Sequence, residues 1–117
     1  MEQRLEAVVV PVSDVDRVRH FYRALGFRLD LDRAGSDGQR VVRLTPPGSS
    51  CSIVLSRGSG STTGILIVAD LDAAVAVLRA LGAGLSPISH RTDGYAHASF
   101  RDPDGNLWLL LRDIPAS

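Results

Sequence analysis

The sequence predicts an α+β domain made of two tandem units, each a strand, a helix and a further run of strands, and two observations carry that prediction. Sliding the chain against itself by 56 positions brings Val12 onto Val68, Asp14 onto Asp70, Asp16 onto Asp72, and Arg23-Ala24-Leu25-Gly26 onto Arg79-Ala80-Leu81-Gly82, which marks an internal duplication. Within the first copy the apolar period then changes from three-and-four spacing to alternation, as it does where a helix gives way to strands. The 117 residues suit a single domain, one that buries about two-thirds of the surface its unfolded chain would expose.

Residues 7–12 and 65–68 read as apolar strands, each running into an aspartate, Asp14 or Asp70, whose side-chain oxygen can cap a helix. Val15, Val18, Tyr22 and Leu25 form one face of the first helix, and Leu71, Ala74, Val75, Leu78 and Leu81 one face of the second. Gly26 and Gly82 are placed to close them in the left-handed conformation. Next, Phe27, Leu29 and Leu31 alternate with Arg28, Asp30 and Asp32, the pattern of a strand with two unlike faces. Strands at 41–44 and 51–55 flank the turn Pro46-Pro47-Gly48, and strands at 95–101 and 107–111 flank the turn from Asp102 to Asn106. The first module is expected over about residues 4–56 and the second over about 64–113, joined by a Gly, Ser and Thr-rich linker at 57–63. Pro11, which lacks a backbone donor, argues for a strand edge or a bulge.

Thirteen basic and thirteen acidic side chains cancel, so no global field favours nucleic acid or an anionic membrane surface, and aromatic side chains for base stacking are few. No apolar run of about 18 residues is present, and the first residues, Met1-Glu2-Gln3-Arg4, lack the basic and apolar segments of a secretory signal. A cytoplasmic protein is expected. Cys51 is the one cysteine and cannot form an internal disulfide; its neighbours suggest a strand and a buried thiol, and Trp108 likewise reads as core.

The duplicated unit, with PVSDVDRVRHFYRALGF opening the first copy and SFRDPDGNLWLLL closing the second, resembles the vicinal oxygen chelate superfamily, which includes glyoxalase I, extradiol dioxygenases and the bleomycin and fosfomycin resistance proteins. The resemblance implies that each unit curls a four-stranded sheet into a half barrel, that two half barrels face one another around a cavity, and that units pair either within a chain or across a homodimer. It also implies where a metal would sit. Family members that use one place ligands at positions matching Ala7 and Thr63, at Leu109, and near Ser52 in the first unit. A divalent ion needs imidazole, carboxylate or several neutral oxygens to replace its hydration, and these residues do not supply them. The only glutamates, Glu2 and Glu6, lie near the N-terminus. The expectation is a protein with no metal and no other cofactor.

The loop Pro103-Asp104-Gly105 sets Asp102 opposite Asn106, hence Ser99 opposite Leu109 and His97 opposite Leu111. If Leu109 faces a cavity, then Leu107, Leu111, Tyr95, His97, Ser99 and Arg101 share its face, while Phe100 and Trp108 face the helices. Together with Ala7, Val9, Ser52 and Thr63 these make a mostly apolar wall carrying a few polar groups, as in small-molecule sites. His97, with Tyr95 as hydrogen-bond partner, is the candidate for proton transfer. His20 reads as a solvated helix residue, and His90 as part of a polar loop beside Arg91 and Asp93. Arg40 or Arg43, if turned inward, could hold a carboxylate or phosphate in paired hydrogen bonds, or could pair instead with Asp30 or Asp32.

Two functional readings follow. The first is a metal-independent binding module that sequesters or delivers an apolar or aromatic small molecule, as a homodimer. The second is a cofactor-independent isomerase or lyase that uses His97 with Tyr95 or an arginine. A metal-dependent lyase, transferase or dioxygenase ranks last.

Overall fold

A computed structural model describes residues 1–90 and 96–112. The chain divides after Thr62 into two compact units. The first contains β1 (Ala7–Val12), α1 (Val15–Leu25), β2 (Arg28–Ala34), β3 (Arg40–Thr45) and β4 (Ser52–Arg57). Its sheet has the order β1-β4-β3-β2, with β1 parallel to β4 and the other pairs antiparallel. A parallel pair needs a long return path, which α1 and the meander provide. Pro11 sits on β1, at the edge of this sheet, where a missing N–H is tolerated.

Asp14 caps α1 by accepting from the Arg17 backbone N–H, and Gly26 ends it at φ 109°, a conformation that costs glycine nothing. Val18, Phe21 and Tyr22 of α1 are buried, as are Val10, Val12, Val42, Leu44, Ile53 and Leu55 of the sheet. Tyr22 packs between Phe21 and Phe27 with ring centroids 5.3 and 5.2 Å away. One face of the sheet is thereby closed and the other left open.

The second unit contains β5 (Thr63–Val68), α2 (Leu71–Ala80), β6 (Gly84–Leu85), β7 (Ser89–His90), β8 (Ala96–Arg101) and β9 (Leu107–Arg112). Its sheet order is β5-β9-β8-β6, with β7 also pairing β8. Asp70 caps α2 through the Ala73 N–H. Pro87 falls between β6 and β7, and its missing N–H breaks the strand that follows the helix into two short pieces. Ser86 spans the break, its N–H donating to the Ser99 carbonyl and its hydroxyl accepting the Ser99 N–H at 2.8 Å.

Four sequence expectations are corrected. A bulge between Leu29 and Leu31 reverses the phase of β2: Leu29 pairs with Leu44 on the helix side, but Leu31 pairs with Arg43 on the open side. An inserted residue shifts every later side chain to the other face. Cys51 precedes β4 and its thiol is only part-buried. Leu81 caps α2 and is 36% exposed, because the helix ends before that position reaches the sheet. His90 belongs to β7, paired with Ala96, rather than to a loop; Arg91, Asp93 and Tyr95 lie outside the described residues.

Candidate ligand-binding faces

In the second unit the register builds three rows across the open face: Thr63, Leu107 and Arg101; Ile65, Leu109 and Ser99; Ile67, Leu111 and His97. The hairpin register is the one the turn dictates. Asp102 fixes it by accepting the Asp104 and Asn106 backbone N–H groups on Oδ1 and the Asn106 side-chain amide on Oδ2, all within 3.0 Å, with both residues buried. The opposite face holds Trp108, Leu110, Phe100, Ala98 and Ala96, all buried beneath α2. Gly64 lies across from Trp108, whose ring would come within 2.3 Å of any Cβ placed there.

That open face is apolar and uncovered: Ile65 is 58% and Ile67 66% exposed, with Leu107, Leu109 and Leu111 half-buried between them. Thr63, His97 and Ser99 are polar points on it, Thr63 exposed and the other two part-exposed. Arg101 is spent on its own hairpin, donating to the Gly105 carbonyl at 2.9 Å.

The open face of the first sheet is built differently. Ala7 pairs with Ser52, Val9 with Val54, Val54 with Arg43, and Arg43 with Leu31. Val9 is 59% and Val41 42% exposed, so this face also carries open hydrocarbon. One end of it is polar. A recess of about 510 Å³ there is lined by Glu6, Arg28, Asp30, Arg43, Thr45 and Ser52 among others. Arg43 Nη2 donates to Glu6 Oε1 at 2.6 Å, and Arg28 Nε donates to Asp30 Oδ1 at 2.6 Å. The hydrogen bond from Arg43 holds the Glu6 carboxyl below its ordinary range; Asp30 is lowered by Arg28 first and the Thr45 hydroxyl second.

The structure thus decides between the two strand arginines. Arg43 lies on the open side, whereas Arg40 lies on the other and binds Asp32 through Nε and Nη2 and Asp16 through Nη1. Arg40 and then Arg19 hold the Asp32 carboxyl down to about 2. A separate recess of about 780 Å³ beside Asp14, Asp16, Asp37 and Arg40 is larger, but its carboxylates are engaged by Arg40 and by backbone N–H groups.

The family's metal positions do not fit an ion. Ala7 and Leu109 present hydrocarbon, and the Ser52 hydroxyl is held by Thr45 at 2.7 Å. Glu6 and Asp30, the carboxylates beside this end of the first face, are each paired with an arginine. Among the described residues no three His, Cys, Asp or Glu side chains stand close enough to share a metal. Sequence reasoning missed the Glu6 to Arg43 pair and the contacts joining Asp30, Thr45 and Ser52, because the pairing of β1, β3 and β4 and the bulge in β2 that bring these residues together leave no periodic signal.

A sheet with one helix on its back, made twice and with its other face open, defines the class of protein. Residues 4–110 match the model of the glyoxalase/bleomycin resistance protein/dioxygenase superfamily, and the chain belongs to that superfamily. No curated protein matches it by sequence. Among solved structures it is similar to TnmS3, an antibiotic binding protein from Streptomyces sp. CB03234, with 32% identity and a TM-score of 0.84 over 97% of this chain and 98% of that one. A glyoxalase/bleomycin resistance protein from the same Streptomyces strain is 33% identical, TM-score 0.78, over 92% and 98%. A superfamily member from Sphaerobacter thermophilus DSM 20745 is 25% identical, TM-score 0.85, over 96% and 98%. Among the described residues, no helix is long and apolar enough to cross a membrane.

Proposed function

We propose that this protein is a metal-independent binding module that takes up an apolar or aromatic small molecule and sequesters or delivers it without chemical change. The observation that carries this reading is that each unit leaves the sheet face opposite its helix open and apolar, with Val9, Ile65 and Ile67 each more than half exposed. Exposed hydrocarbon on this scale marks a surface meant to be covered. Supporting it, the antibiotic-binding relative shares the fold over nearly its whole length, and the arginines of the first face are engaged by carboxylates rather than poised for catalysis. The binding unit in this reading is a homodimer.

The test uses 2-methoxynaphthalene, an uncharged fluorescent aromatic, titrated against the purified protein. Saturable binding is expected, and Leu109→Asp, which places a charge in the middle row of the second face, is expected to weaken it by about tenfold or more. Absence of saturable binding by the wild type, or equal affinity of wild type and Leu109→Asp, would sink the reading. Metal analysis is expected to find no stoichiometric divalent ion. A rise in melting temperature specific to one divalent ion would contradict metal independence, and sedimentation at micromolar concentration checks the dimer.

A further inference from the structure

The polar end of the first face has a definite hydrogen-bond direction, and the direction selects a ligand chemistry. A carboxylate accepts and cannot donate. Asp30 receives the Arg28 guanidinium on Oδ1 and the Thr45 hydroxyl on Oδ2. Thr45 has one proton, and that proton is committed to Asp30. Its 2.7 Å contact with Ser52 is therefore one in which Ser52 donates and Thr45 accepts. Ser52 has then also used its only proton, and what remains for anything approaching from the recess is a pair of acceptor sites on Oγ.

Thr45 and Ser52 are each only 3% exposed, yet both line the recess, so little solvent competes with a ligand for the Ser52 oxygen. Arg43, the nearby cation, holds Glu6 through Nη2. A ligand oxygen without a proton would meet Ser52 lone pair to lone pair, whereas a hydroxyl or N–H would complete the series. Buried polar groups left without a complementary partner are what make such sites discriminate.

We infer that Ser52 is a specificity-determining hydrogen-bond acceptor, set by the relay Ser52 to Thr45 to Asp30, that selects aromatic ligands bearing a phenolic hydroxyl or an N–H donor. The inference rests on the ligand-binding reading above and adds the class of ligand.

The experiment compares 2-naphthol with 2-methoxynaphthalene, which share a ring system and differ in whether the oxygen carries a proton. Wild type is expected to bind 2-naphthol about tenfold more tightly, one good hydrogen bond's worth. Ser52→Ala is expected to bind the two probes alike, with circular dichroism and the melting temperature showing that the variant is folded. Thr45→Val releases the Ser52 proton and is expected to cut the preference to less than about threefold. Equal binding of the two probes by wild type, or a tenfold preference that persists in Ser52→Ala, overturns the relay while leaving the module's general binding role standing. If Ser52→Ala does not fold, an unchanged preference in Thr45→Val overturns it equally. Failure of wild type to bind either probe overturns the binding reading and this inference with it.

Discussion

Single side chains set the geometry of both units through bonds that a buried acceptor makes to backbone donors. Asp102 satisfies three donors at once while almost fully buried, so Asp102→Ala removes both acceptor oxygens and leaves the three donors without them. A loss of about 2 to 3 kcal/mol in chemical denaturation is expected. Asp32 acts through charge instead. Its folded-state carboxyl sits at about 2 because Arg40 and Arg19 favour the ionised form, while in the unfolded chain it titrates near 4. The depressed value means that its contribution is fully present above about pH 4 and disappears as pH falls towards 2. Asp32→Asn is expected to be less stable than wild type at neutral pH and to lose less on acidification across that window. Melting temperatures measured between pH 6 and 2 check it, and parallel curves for the two proteins would contradict it. His97→Ala tests whether the imidazole is more than lining; in a binding module, affinity for 2-methoxynaphthalene should change by less than about threefold.

At the scale of elements, close approach and phase matter more than propensity. β5 passes beneath the Trp108 ring at Gly64, where even a methyl group would lie 2.3 Å from the aromatic carbons. Gly64→Ala forces the indole or the strand to move, and a loss of about 1 to 3 kcal/mol is expected by denaturant titration. The bulge in β2 has the opposite character, since it costs one regular pairing and brings Asp30 and Leu31 to the end of the open face where Arg43 of β3 lies. Caps and turns were legible because their residues act locally: Asp14 and Asp70 accept N–H groups three positions ahead, and Gly26 needs a positive φ whatever packs above it. The bulge was not legible, because alternation of Phe27, Leu29 and Leu31 is what an unbroken strand would also show. The split of the second unit's post-helix strand left a weak signal in Pro87 that periodicity alone does not reveal.

For the whole molecule, the repeat, the class of fold and the family follow from order along the chain, and a superfamily match over residues 4–110 agrees with them. The face assignments of the second unit were also within reach of the sequence, since a three-residue turn fixes the register of β8 and β9 and register fixes sides. In the first unit the longer loop after Pro46 gives no such anchor, so the sides of Arg40 and Arg43 are set only by the tertiary pairing of β3.

What the sequence determined by itself, then, are those features in which a residue acts on its near neighbours: the duplication, the capped helices, the tight turns and the hydrocarbon at Ala7 and Leu109. What only the tertiary structure decided is which distant polar groups meet. Glu6 reaches Arg43 and Ser52 reaches Asp30 through Thr45 because a bulge and a parallel strand pairing bring separate segments within hydrogen-bond range. Such contacts depend on three-dimensional register, which one extra residue resets and no local pattern records.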